Sequence, residues 1–296
     1  MMMMSRRDVL AVAAGWMAGA RASTTVMSGQ TVTFRGSQAG EARVIDGIAL
    51  RWCPPGRFVM GSPATEPGRR PDEDQVEVTL SRGFWMAAFE TTQGDWMRVL
   101  GAFPDRLPSV EFGSGASVPM YWVNYTEARQ FADRLTTRAR QSGQLPSGWV
   151  FDLPTEAQWE YACRAGTTTI FAFGDTLAPQ QANVSAVPFV GGRGMRPTGR
   201  AVAVGSFAAN AWGLCDMHGN IFEWCLDWYH SELPGGVDPD LSAVPGVMNG
   251  DGSYSRCRRG GAWNDHADYC RSAMRLRYEP ARRSDHIGFR VALVER

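Results

Sequence analysis

The stretch Leu153-Pro-Thr-Glu-Ala-Gln-Trp-Glu-Tyr-Ala-Cys-Arg164 sets the scale on which the rest of the chain is built. Thr155 and Gln158 have capping-box spacing, and Trp159, Ala162 and Cys163 share one helical face. Gly166 stands where a left-handed residue ends a helix, so the spacing predicts one short helix between Pro154 and Gly166. On its N-terminal side two more helices are expected. Thr91-Thr92 offers a hydroxyl cap to Gln93 through Leu100, with Gly101 as the stop. From Thr126, Ala128, Phe131, Ala132 and Leu135 recur at helical spacing while Glu127, Arg129, Asp133 and Arg134 take the wet side. Ahead of these, Arg43 to Cys53 alternates as a hairpin turned at Asp46-Gly47, Gly56 to Ser62 enters another strand, and Gln75 to Leu80 alternates again. Three short helices among many short strands predict an irregular α+β chain.

On the C-terminal side regular signals thin out from Thr167 to Pro245, apart from Val202 to Phe207 and Asn220 to Tyr229. Trp and Phe in this region argue for order, supplied by something other than backbone ladders, and a bound cation is the expectation.

Composition bounds the rest. The 296 residues carry no compositional break, so one domain is expected over 43–296, preceded by a leader over 23–42. Ser5-Arg-Arg-Asp-Val-Leu10 resembles a twin-arginine export motif, and the weakly apolar run after it ends at Ala20-Arg21-Ala22. Residues 1–22 are therefore read as a signal cleaved after Ala22, giving a periplasmic protein with no stable membrane insertion. Removing them leaves a mature chain of about −2, which offers no field for nucleic acid. No lysine occurs, so every cationic side chain besides histidine is an arginine suited to forked pairing with carboxylates. The six cysteines, Cys53, Cys163, Cys215, Cys225, Cys257 and Cys270, would meet an oxidising compartment in a pairing the sequence leaves open.

The chemistry concentrates between Arg258 and Ala273, a segment closed by Gly288-Phe-Arg290. Asp265, His266 and Asp268 supply one imidazole and two carboxylates, the donor types of a non-haem iron site, with Cys270 close in sequence. Asp265, His266 and Cys270 are taken as candidate catalytic residues. Trp263, Asp268, Tyr269, Arg275 and Tyr278 could line a groove for a peptide or small ligand. Arg271 and Arg290 are expected to pair within the fold.

The order of motifs resembles the formylglycine-generating enzyme, or sulfatase-modifying factor, family. The matching pieces run through Gly56 to Ser62, Glu90 to Trp96, Trp122 to Ala128, Leu153 to Arg164, Phe171 to Gly174, Gly213 to Trp224, Arg259 to Trp263 and Gly288 to Arg290. The resemblance implies an irregular fold related to the C-type lectins, usually with calcium. Its pattern would place the carboxylates of Asp216 and Glu223 and the carbonyls of Gly219 and Ile221 around one Ca²⁺. A second calcium site would use Asn183 and Val184, but the aligned stretch Arg196-Pro-Thr198 has no carboxylate. Family oxidases hold Cu(I) between two cysteines after the double glycine. Here the second falls on Cys270 and the first on Asp265, a hard ligand, so the two-cysteine copper mechanism is excluded. Ala262 replaces the serine near the oxygen-binding pocket, and Val291 replaces the cysteine that pairs with the position of Cys163 in the animal enzymes.

These departures are similar to those of periplasmic relatives of the pyoverdine-maturation and nitrite-reductase accessory type. The expectation is thus an oxidoreductase-like maturation factor acting on a periplasmic protein or peptide, with iron or copper as a redox metal. The alternative is a non-catalytic, calcium-braced binding scaffold of the C-type-lectin kind, including binders diversified by retroelements.

Overall fold

A computed structural model describes residues 34–178, 180–185 and 198–296. The signal read over residues 1–22, and most of the stretch read as a leader, lie outside the described residues. Phe34 to Arg296 form one compact unit. The fold begins inside the expected leader, because Phe34 packs on Trp149 with ring centroids 5.0 Å apart and its carbonyl accepts the indole N–H of Trp85.

The hairpin at Asp46-Gly47 forms as read, with both turn residues in the left-handed region and β1 (Ala42–Ile45) antiparallel to β2 (Ile48–Cys53). These open a five-stranded sheet in the order β1-β2-β5-β12-β6, completed by β5 (Phe84–Ala87), β12 (Ala292–Glu295) and β6 (Trp149–Asp152). The first and last strands of the described residues thereby share one sheet. A second sheet joins β3 (Gly56–Met60), β4 (Val76–Leu80) and β8 (Gly236–Val237). A third, in the order β10-β9-β7-β11, contains β10 (Leu276–Tyr278), β9 (Arg256–Arg259), β7 (Phe222–Trp228) and β11 (Ile287–Gly288).

The three expected helices are present: α1 (Gln93–Leu100), α2 (Tyr125–Gln141) and α3 (Glu156–Arg164). Thr155 caps α3 in a reciprocal box with Gln158, and Ala165 turns left-handed just ahead of Gly166. For α2 the cap is Asn124, boxed with Glu127, so the helix begins a residue before the expected Thr126. Its apolar face buries Phe131 and Leu135 against Trp96 and Phe289.

The signal over Val202 to Phe207 does not become a strand, and the expected alternative to backbone ladders is found in side chains. Asn220 accepts the N–H of Val202, Asp216 accepts that of Gly205, and Asn210 accepts those of Trp212 and Leu214. Buried amide and carboxylate groups thus hold backbone N–H groups here in place of strand ladders.

Candidate functional site

Pleating decides where the arginines of β9 go, because successive side chains leave a strand on opposite faces. Cys257 and Arg259 point to the face shared with Glu223 and Cys225, against α3. Arg256 and Arg258 point to the other face.

The first face is a closed ionic layer. Arg259 donates from Nη2 to Glu160 and from Nη1 to the carbonyl of Ala273 at 2.9 Å. Arg275 forks onto Glu156 at 2.7 and 2.8 Å, and Arg271 spans Glu66 and Glu73 at 2.7 Å. Arg290 forks onto Glu223 at 2.7 and 2.6 Å. Burial alone would raise the carboxyl of Glu156, but Arg275 and Arg259 pull it down to about 2. Arg271 and Arg290 therefore pair within the fold. Arg275, expected to line a ligand groove, is 1% exposed and its fork is spent on Glu156.

The second face is different in kind. The guanidinium of Arg258 lies 4.1 Å over the ring of Phe222 and 5.1 Å from that of Tyr278, and its buried Nε and Nη1 donate to nothing. Burial lowers Arg258 to about 10, opposed by the charge of Asp265. Asp265 in turn is raised by burial, opposed by His286 and Arg258, and its buried Oδ2 has no partner. Trp263 Nε1 and Ser185 Oγ are also buried without partners, and Ser185 donates its backbone N–H to the Asp265 carbonyl at 2.8 Å. His286 is anchored by Asp285 at 2.7 Å and by the Ser284 hydroxyl, and packs edge-on against Phe222. An arginine, a carboxylate, an indole and a hydroxyl with open hydrogen-bonding capacity thus gather around one turn.

That turn is shaped by Gly260 and Gly261, both at positive φ. A Cβ on Gly261 would lie 2.2 Å from the Cys270 sulfur, so only glycine lets the 3-10 turn Ala267–Cys270 fold back beneath it. This packing buries Cys270 completely, and burial pushes its thiol well above the usual range. The thiol is shut away from an approaching ligand, and none of the six cysteines is bridged.

The structure therefore separates the expected catalytic set. Asp265 faces Arg258, His266 is exposed and makes no capping bond, and Cys270 is interior. Asp268 is half-buried beside Gly68, and its carbonyl accepts Arg271 Nε. Among the described residues no three His, Cys, Asp or Glu side chains converge as a metal set. Trp263, Tyr269 and Tyr278 are half-buried, and Trp263 packs against Val118, Ala201 and Ile221.

The expected calcium ligands are likewise only partly available. Both oxygens of Glu223 are taken, one of them also accepting Trp159 Nε1 at 2.6 Å. Asp216 accepts Gly205 N–H with Oδ2 and keeps Oδ1 open, raised to about 6 chiefly by burial. Gly219 and Ile221, whose carbonyls are the expected ligands, are held through their backbone N–H groups by the Gly260 carbonyl and by Glu90, which leaves the carbonyl expectation untouched. At the second site Asn183 spends its amide on Arg200 and Asn220 and accepts the Thr198 hydroxyl, while Val184 packs in an apolar cluster.

Sequence reasoning passed over Arg258, Ser185 and Glu90. Arg258 differs from Arg259 only in strand parity, which a reading of β9 as a strand would have supplied. Glu90 is buried, raised well above the carboxylate range first by burial, and holds Asn220 and Ile221 at 2.8 and 3.1 Å.

The sulfatase-modifying factor enzyme 1-like domain matches residues 40–294. Formylglycine-generating enzyme of Streptomyces coelicolor is 36% identical over 234 residues, covering 75% of this chain and 64% of that protein. The chain spans less than two thirds of the length of such curated relatives. PvdO from Pseudomonas aeruginosa superposes with a TM-score of 0.70 at 27% identity, covering 87% of this chain and 99% of its own. Treponema denticola variable protein 1 shares the fold at a TM-score of 0.66 and 23% identity, covering 85% of this chain and 98% of its own.

Proposed function

The chain belongs to the sulfatase-modifying factor enzyme 1-like family, and from that premise we propose that it is an exported maturation or accessory factor for a periplasmic protein or peptide, acting through Arg258, Trp263, Asp265 and His286. One observation carries the reading: buried polar atoms of Arg258, Trp263, Asp265 and Ser185 are left without partners in one place. Native interiors pair such groups, because each orphan costs about 1–3 kcal/mol, so a cluster of them is retained for something that binds there. Asp265, raised by burial, can exchange a proton with a donor group of the ligand. The N–H groups of Arg258 and Trp263 can hold a ligand oxygen that gains negative charge. An oxidation would also need an electron acceptor beyond these four side chains.

The test is made on protein recovered from the periplasm without chelator. Iron and copper should be well below stoichiometric, and an Asp265→Ala strain should accumulate the same unprocessed periplasmic species as a deletion strain, read by intact-protein mass spectrometry. Stoichiometric iron or copper, lost in Asp265→Ala and in Cys270→Ser, would replace this reading with a redox-metal enzyme. A periplasm unchanged by deletion would end the maturation role.

A second reading, a calcium-braced binding scaffold without chemistry, draws on one observation. Asp216 keeps an open oxygen and feels the charge of Glu223 and Glu90, so negative charge is in excess there. Calcium raising the melting temperature of chelator-treated wild type, but not of Asp216→Ala, would favour it.

A further inference from the structure

Away from the Asp265 turn, a cavity of about 260 Å³ is lined by Arg70, Asp72, Tyr229, Ser231, Arg275 and Arg277, among others. Its charges are unequally spent. Arg275 is neutralised by Glu156 behind it. Asp72 accepts the Tyr229 hydroxyl at 2.7 Å with one oxygen and lies 3.9 Å from Arg70 Nε with the other. The Arg70 side chain is 45% exposed, and exposed Arg277 has no carboxylate partner among the described residues, its guanidinium resting 5.1 Å from the Tyr229 ring. Counting Arg70, Arg275 and Arg277 against Asp72 and Glu156 leaves one positive charge in excess. Burial and the hydrogen bond to Asp72 push the Tyr229 hydroxyl up to about 12, so it stays a neutral donor aimed at Asp72 and adds no negative charge.

The backbone at this place is open as well. Arg277 is the middle residue of β10, the outer strand of its sheet, which among the described residues pairs with β9 alone. An outer strand presents a row of unpaired N–H and C=O groups to any extended segment that lies beside it. Aromatic stacking holds the Arg277 fork beside that row, where it can meet a carboxylate two-point fashion.

We propose that β10 and the adjoining cavity dock an acidic, extended peptide segment, which adds as a strand to β10 while a carboxylate enters between Arg70 and Arg277. The proposal deepens the reading of this chain as a factor acting on a protein or peptide and names the chemistry of what it holds. It stands at a distance from Asp265 in function, since docking requires no turnover.

The probes are a hexapeptide of alternating glutamate and threonine, its glutamine counterpart, and inorganic phosphate, titrated calorimetrically into the full chain. Saturable binding of the glutamate peptide is expected, with Arg277→Ala and Arg70→Ala each weakening it by about tenfold or more, as loss of a charge-assisted fork would. Arg277→Lys should recover part of the affinity, and Asp265→Ala should leave it unchanged. No saturable binding by wild type, equal binding of the glutamine peptide, or no effect of either arginine variant would overturn the proposal. Phosphate displacing the peptide at equal concentration would make this a small-oxyanion site and overturn the peptide. If peptide binding persists while Asp265→Ala proves silent in the periplasm, the docking surface stands and the maturation chemistry falls.

Discussion

Arg258 and Arg259 are neighbours on one strand, and they live in opposite conditions. Arg259 is fully buried and gives its Nη groups to Glu160 and to two carbonyls, inside a layer where Arg271, Arg275 and Arg290 are also forked onto carboxylates. Arg258, one residue earlier and on the other face, lies between aromatic rings with two buried N–H groups idle, near a carboxylate whose own oxygen is idle. The same side chain thus serves as a structural brace on one face of β9 and as an unfilled contact on the other. Both arginines keep a buried Nε without a hydrogen-bond partner, so what sets brace apart from site is whether the Nη groups are spent.

The comparison breaks most visibly if the brace is removed. Arg259→Met should cost about 3–5 kcal/mol in urea unfolding, because Glu160 and the carbonyls of Ala273 and Met274 would lose a buried cationic partner. A loss below about 1 kcal/mol would mean that the layer tolerates missing partners, and the contrast with Arg258 would lose its meaning.

The closed face is sharpened next by pH. His218 accepts the Ala172 N–H on Nε2 at 3.0 Å, so Nδ1 carries the proton and donates to the Cys270 carbonyl at 2.7 Å. The bond accepted on Nε2 needs a neutral ring, and burial holds the ring at about 4 although the Cys270 carbonyl favours the charged form. A folded-state value below the unfolded one means that the unfolded chain binds more protons in between. Stability is therefore complete above about pH 6.5 and falls as pH drops toward about 4, by an amount on the order of 3 kcal/mol. His218→Gln should flatten that acid limb in chemical denaturation at pH 4 to 7; an unaltered limb would place its origin in other groups.

Much of the fold was legible because its signals are local. The caps of α1 and α3, the Asp46-Gly47 turn and the alternation of β2 and β4 are fixed by residues within a few positions of one another. The site was legible only in its address. Trp263 and Asp265 do sit at the turn. What the sequence conceals is which atoms are spent: Arg275 and Glu223 look free on paper, yet their partners are Glu156, far upstream, and Arg290, far downstream. Cys270 is a candidate through its place in the family's copper pattern, and its close contact with Gly261 goes with a fully buried thiol. Each of these facts is a long-range pairing that no spacing encodes. Parity along β9 was readable in principle, since two arginines in succession on a strand must part to different faces.

The smallest expected effect is the most informative. Arg258→Met keeps an apolar stem against Phe222 and Tyr278 while removing a cation that satisfies none of the surrounding acceptors. Its stability should lie within about 1 kcal/mol of wild type, on either side, since replacing an unsatisfied buried charge by a well-packed apolar chain is often neutral or favourable. The periplasmic maturation phenotype should nonetheless be lost with it. Stability and function would then separate at Arg258 and move together at Arg259, one residue away. If Arg258→Met instead unfolds the chain as readily as Arg259→Met, Arg258 is a brace whose partner is hidden. The open polar atoms around Asp265 would then be packing defects with no ligand to fill them.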